Sequence, residues 1–303
     1  MRIVFMGTPE FAVPSLERLL ADGHEVAAVF TQPDKPRSRM KLIPSPVKAA
    51  ALQHGLTVLQ PTTIRDEAVL QQVRDLHPEL LVVVAYGKIL PKALLEIPTV
   101  AAINVHSSIL PRYRGAAPIN WAILQGDAET GVTVQHLGEE LDAGDIILVK
   151  RTAIDPQEDA GQLYDRLAVL GAEALSEAAA ALAAGTAERI PQGAAIEPYA
   201  AMLSREMSPI DWNKPAQTIV NQIRGLIPWP CASMELEGKR VKVYRGAVGE
   251  NTSAQPGAIV SADKRGIAVA AGDGRTVVIT QLQPEGGKRM AADAYLLGHP
   301  IKV

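Results

Sequence analysis

Short apolar runs restrict this chain more than any other feature. Ile3–Met6, Val26–Phe30 and Leu80–Val84 contain no polar side chain, and Ala101–Val105 is broken only by Asn104. A strand that is apolar on both faces must be covered on both faces. Helical patterns near 46–54, 65–76 and 91–96 alternate with these runs and can supply that cover. The expected fold is α/β, a doubly wound, mostly parallel sheet of Rossmann-like form. The first turn reads as a helix start, with Thr8 the expected N-cap, Pro9 the first helical residue and Asp22-Gly23 the stop. Residues 131–136 and 146–154 alternate like paired strands joined by the polar loop 137–145. Residues 158–184 form an Ala-rich packing helix.

Residues 186–206 hold Gly193, Pro191 and Pro198 and read as a linker between a first domain, 1–185, and a second, 207–303. After a helical piece at 216–226 the second domain turns to short strands at 232–237, 241–245, 257–261, 267–271 and 276–282. That spacing predicts a small C-terminal β-barrel of OB-like form.

Composition narrows the function classes. Of 303 residues, 47% are hydrophobic and 21% charged, which supports a packed core and excludes a disordered chain. One cysteine, Cys231, excludes an internal disulfide framework and a zinc–cysteine cluster. No run approaches the ~18 apolar residues of a membrane helix, and the N-terminus lacks the pattern of a signal peptide. A cytoplasmic protein with no membrane partner is expected. Residues 207–303 carry 12 Lys and Arg against 8 Asp and Glu, a balance of +4, leaving 18 against 25, or −7, in residues 1–206. A basic tail on an acidic body makes a polyanionic partner worth testing.

The first βα turn, Gly7-Thr8-Pro9-Glu10, has one glycine and a proline that removes an amide donor. A dinucleotide fingerprint needs more glycine there, which argues against NAD. The informative segment is Asn104-Val105-His106-Ser107-Ser108-Ile109-Leu110-Pro111-Arg112-Tyr113-Arg114-Gly115, at the C-terminal end of a predicted parallel strand, where ligands of open α/β sheets bind. Asn104 and His106 are two apart and share one face of an extended chain. Asp145 closes the Leu141–Asp145 run before the next strand. An amide, an imidazole and a carboxylate around one cleft suit transfer at a carbonyl carbon. The residues alone leave open a plainer reading, in which Asn104 caps a turn and His106 is a structural histidine.

The run NVHSSILPRYRGAAPINWAILQGD, followed by GVTVQHLGEELDAGD, resembles the formyltransferases that use 10-formyltetrahydrofolate. MRIVFMGTPEFAVPSLERL, TQPDKPRSRMKLIPSPVK and, in the tail, IRGLIPWP and GDGRTVVITQLQPEGGKRM narrow the resemblance to the branch that formylates methionyl-initiator tRNA. It spans residues 1–298. The resemblance implies that Asn104, His106 and Asp145 are catalytic, with Asp145 keeping His106 charged. It implies that Ser108, Ile109, Leu110 and Pro111 contact the folate, and that an apolar wall at Tyr86, Gly87 and Ile89 holds the pterin. The folate is then a co-substrate, with no tightly bound cofactor and no metal. Ile109 replaces the family's usual Leu, a swap of equal volume. The basic stretch 36–41 is less glycine-rich than the family's and one residue shorter.

The segment 35–48 reads as a mobile basic surface loop, and the resemblance brings Arg37, Arg39 and Lys41 to the tRNA, with Arg39 matching the family's key arginine. In the tail, Lys239, Arg240, Lys242, Lys288 and Arg289 are candidate phosphate contacts. A monomer is expected. His136 lies near the Asp145 loop with no role assigned.

Overall fold

In the computed structural model the chain forms two compact units, Met1–Pro118 with Thr130–Thr152 and Tyr164–Ala200, and Ile119–Glu129 with Ala153–Leu163 and Ala201–Val303. The structure describes residues 1–38 and 41–301, with backbone only for 35–38, 41 and 42. Most of 186–206 therefore groups with the first unit.

The first unit is built on strands β1 (Arg2–Gly7), β2 (Glu25–Phe30), β5 (Val58–Leu59), β6 (Leu80–Val84), β7 (Ala101–His106), β8 (Glu129–His136) and β9 (Ile146–Ala153), in the order β5-β2-β1-β6-β7-β8-β9. The pairs β2–β5, β1–β2, β1–β6 and β6–β7 are parallel and β7–β8 is antiparallel. The fold class is the one expected. Ile3–Met6 and Leu80–Val82 are fully buried because the strands are covered on both faces. The helices of this unit include α1 (Val13–Ala21), α2 (Pro46–Gln53), α3 (Glu67–Asp75) and α4 (Lys92–Leu95), while α6 (Ala160–Ala183) belongs to it from Tyr164 onward.

Two local expectations change. Thr8 does not cap a helix. A 3-10 turn over Glu10–Ala12 comes first, and α1 starts at Val13 with Pro14 in its first turn. The Thr8 hydroxyl donates instead to the Tyr86 carbonyl (3.2 Å) and accepts from the Gln32 amide (3.3 Å). The segment expected to be a loop contains an antiparallel pair, β3 (Lys35–Ser38) with β4 (Lys41–Ile43). Its base is held by Lys48, whose Nζ lies 2.5 Å from Asp34 and 2.6 Å from Gln60. The Lys48 hydrogen bond holds the Asp34 carboxyl below its ordinary range. Arg39 lies outside the described residues, and Arg37 and Lys41 are placed by their backbone alone.

The second unit carries α5 (Pro118–Gln125), all but its first residue, and α7 (Ala216–Gly225). Its sheet comprises β10 (Ala232–Leu236), β11 (Lys239–Asn251), β12 (Ile259–Asp263), β13 (Gly266–Ala270), β14 (Arg275–Pro284) and β15 (Met290–Ala291), and helix α8 (Ala292–Gly298) follows. Every pairing is antiparallel, in the order β10-β11-β14-β13-β12 with β15 on β14. One sheet face packs on Ile219, Val220 and Ile223 of α7 and Ala292 and Tyr295 of α8. Strand β11 runs to Asn251, well past the expected end at 245. Its register shifts at Arg245/Gly246, so a bulge lies inside one longer strand.

Candidate active site

Strand register assembles the site. Asn104 pairs with Gln135 and His106 with Thr133 across β7 and β8. Directly opposed residues of an antiparallel pair point to the same side, as do residues two apart. Asn104, His106, Gln135 and Thr133 therefore share one face at the C-terminal end of β7. Thr133 Oγ1 donates to the Ser108 carbonyl (2.7 Å) and accepts from the Leu110 amide (3.1 Å), while Ser108 Oγ donates to the Arg112 carbonyl (2.7 Å). These bonds fix the turn that follows β7.

His106 is 7% exposed, with Nε2 2.9 Å from the Tyr113 carbonyl and Nδ1 3.6 Å from Asp142 Oδ1. A carbonyl only accepts, so Nε2 carries a hydrogen. Protonation at Nδ1 then gives an imidazolium facing a carboxylate. Asp142 Oδ2 accepts the Gly115 amide (2.9 Å), and Oδ1 lies 3.4 Å from Gln135 Nε2. The Asp142 side chain is only 10% exposed.

The carboxylate beside His106 is thus Asp142, not Asp145. Asp145 turns away to pair with Arg189 Nε at 3.2 Å, with a side chain 34% exposed. The loop backbone explains the choice. Asp142 adopts φ 52°, a left-handed conformation that Asp tolerates. At Gly144 a Cβ would lie 1.8 Å from the His136 carbonyl oxygen, so only glycine lets the loop pass that close. The His136 amide donates to the Asp145 carbonyl (2.9 Å), pinning Asp145 at the start of β9. Sequence reasoning missed Asp142, its partners Gln135 and Gln192, and Arg114, which holds Gln192. The available signal was that Leu-Asp-Ala-Gly-Asp holds two carboxylates.

The expected pterin wall divides. The Tyr86 ring is 1% exposed and packs in the core with Val4, Met6 and Phe30, and burial raises its phenol pKa. It does not line an open surface. Gly87 and Ile89 are exposed, and Gln32 Nε2 donates to the carbonyls of Tyr86 (2.9 Å) and Gly87 (3.0 Å), fixing that lip. Ser108 and Leu110 are buried, leaving Ile109 and Pro111 partly exposed. Among the described residues no group of three or more His, Cys, Asp or Glu could hold a metal, and no helix is long and apolar enough to cross a membrane.

In the second unit, Val241 and Val243 face the core, so Arg240, Lys242 and Tyr244 face outward. Arg289 lies 4.4 Å over the Tyr244 ring and bonds Gln281 Oε1. Arg240 reaches the hydroxyls of Ser208 and Ser233. Lys239 and Lys288 are exposed.

Two family models match, Formyl transferase over residues 1–179 and Formyl transferase, C-terminal domain, over residues 202–300. The chain is 48% identical over 302 residues to methionyl-tRNA formyltransferase of Geotalea daltonii, covering 99% of this chain and 96% of that one. It is 48% identical over 303 residues to that of Moorella thermoacetica, covering 99% and 97%. Among solved structures, an N-formyltransferase from Helicobacter canadensis, in complex with folinic acid and dTDP-3-aminofucose, aligns with a TM-score of 0.69 at 19% identity over 91% of this chain and 98% of that one. HypX from Aquifex aeolicus, in complex with tetrahydrofolic acid, aligns with a TM-score of 0.65 at 18% identity over 98% of this chain and 47% of HypX. At such identities the likeness is one of fold. The chain belongs to the formyl transferase family.

Proposed function

We propose that this protein transfers the formyl group of 10-formyltetrahydrofolate to the α-amine of methionyl-initiator tRNA, supplying formylmethionyl-tRNA for translation initiation. Near-full-length identity of 48% to relatives of that name supports this reading. The observation that carries the chemistry is the Asn104, His106 and Asp142 cluster at the end of β7. The amine attacks the formyl carbon, and Asn104 donates an amide N–H to the oxygen that becomes negative. His106, charged opposite Asp142, adds a fixed positive charge in a site shielded from water. The C–N10 bond then breaks, the proton released by the amine passes to N10, and tetrahydrofolate leaves. The carboxylate assigned to that proton transfer is Asp142, which faces His106. No covalent enzyme intermediate is needed, because the acceptor is already a nucleophile.

Ile109, Pro111, Gly87 and Ile89 offer the surface for the folate. The exposed cations Arg240, Lys242, Lys288 and Arg289 suit tRNA phosphates, with Lys239 beside them. The assigned parts are residues 1–185 for catalysis and 207–303 for docking tRNA, in a cytoplasmic monomer. The test is formylation of initiator and elongator methionyl-tRNAs in parallel, with a dTDP-linked amino sugar as a third acceptor. Turnover on the initiator tRNA alone is expected. Turnover on the sugar with none on either tRNA overturns the reading.

A further inference from the structure

We infer that Gln192 is a positioning residue for formyl transfer, acting through the loop that carries Asp142. The inference rests on the reading of Asp142 given above. Gln192 lies in the irregular segment that follows α6, which the sequence presents as a linker. That segment is pinned along its length. Ile190 bridges to Ile146, Ile196 to Arg112 and Ala200 to Gly115. The Ala200 amide donates to the Arg114 carbonyl (2.9 Å), and the Ala200 carbonyl accepts from Ala116 (2.7 Å) and Ala117 (3.1 Å). It is a strap across the turn after β7 and the start of β9.

Gln192 stands in the strap just after the Ile190 bridge, partly buried, with its amide fully engaged. Nε2 lies 2.9 Å from the Asp142 carbonyl, 2.7 Å from the Gly144 carbonyl and 2.8 Å from Gln135 Oε1. Oε1 accepts from Arg114 Nε (3.1 Å) and Nη2 (2.9 Å). Arg114, 7% exposed, also donates to the Gly193 carbonyl (3.0 Å). One side chain thus brackets the loop at the two carbonyls flanking Ala143. It also orients Gln135, whose own Nε2 faces the Asp142 carboxylate at 3.4 Å.

The physical need is specific. A left-handed Asp persists where its surroundings over-determine it, and the Asp142 carboxylate must stay near His106 for the imidazolium to be held. Without a donor on its carbonyl, Asp142 is held through its carboxylate, by the Gly115 amide, Gln135 and His106. An error of about 1 Å in a catalytic group can cost about a hundredfold in rate. The donor must be uncharged and must also accept from Arg114. Glu keeps the acceptor and loses the donor, while Met keeps the length and loses both.

The test compares Q192E, Q192M and D142N, and the double variant Q192M/D142N, by single-turnover and steady-state formylation of methionyl-tRNA. Both Q192E and Q192M are expected to lose between about tenfold and a hundredfold in kcat, with KM for both substrates within about twofold. Adding Q192M to D142N is expected to cost less than about threefold more, because the two act through one group. A merely structural role for Gln192 would leave Q192E, which retains the Arg114 acceptor, near wild type, and would make Q192M and D142N additive. Either result overturns the inference while leaving Asp142 in place. A D142N enzyme with wild-type turnover overturns the Asp142 reading itself, and with it the route by which Gln192 acts.

Discussion

The end of β7 and the outer face of the C-terminal sheet both concentrate ionisable side chains, in opposite ways. At the first, His106, Asp142 and Arg114 are nearly sealed from solvent and each has fixed partners. At the second, Lys239, Arg240, Lys242, Lys288 and Arg289 lie open to solvent. Charges in a shielded, preorganised site act strongly on a developing oxyanion. Exposed charges are screened within ~8 Å at physiological salt, and their sum sets affinity and its salt dependence rather than the rate of a bond-making step. On the proposed reading, ionisable side chains serve chemistry in the first region and docking in the second.

The largest effect should come from the sealed region. Asn104→Ala or His106→Ala should lower kcat by about a thousandfold, as loss of one preorganised group at an oxyanion does, while tRNA binding in a filter assay stays within about threefold. The sealed region also depends on the sheet beneath it. Leu81 is fully buried on β6 and paired with Ala102 of β7. Leu81→Ala should cost about 2–5 kcal/mol in chemical denaturation.

The open region should respond differently. Lys242→Glu with Arg289→Glu should weaken tRNA binding about tenfold at low salt and reduce the slope of log affinity against log salt by about 2. Turnover at saturating tRNA should hold. An unchanged slope would remove these residues from the docking face.

The smallest effect concerns His136, which is buried beside the Asp145–Arg189 pair. Burial first, then Arg189, lowers its pKa below 6.5, against the opposite pull of Asp145. The unfolded chain binds the proton more readily, so this contribution to stability is complete above pH 6.5. It is lost as pH falls from there through the lowered folded value. His136→Gln should flatten the fall in melting temperature below pH 6.5.

The sheet was legible because Leu80–Val84 and its neighbours are apolar on both faces, which leaves little choice of environment. The full length of strand β11 was not, because a bulge at Arg245/Gly246 lies inside it. The position of Asn104 and His106 followed from a period of two. The choice between Asp142 and Asp145 did not, since it depends on a left-handed φ at one and on the Arg189 pairing at the other. Gln192 was hidden for a related reason. Two of its partners are main-chain carbonyls of residues about fifty positions away, which no local pattern records.

The most direct measurement compares Asp142→Asn and Asp145→Asn in the formylation assay under saturating folate and methionyl-tRNA. Asp142→Asn should lower kcat by at least about a hundredfold, and Asp145→Asn by less than about fivefold, the loss of a partly exposed ion pair. The reverse order would contradict the account, because the carboxylate that faces the imidazole would then not be the one that works with it.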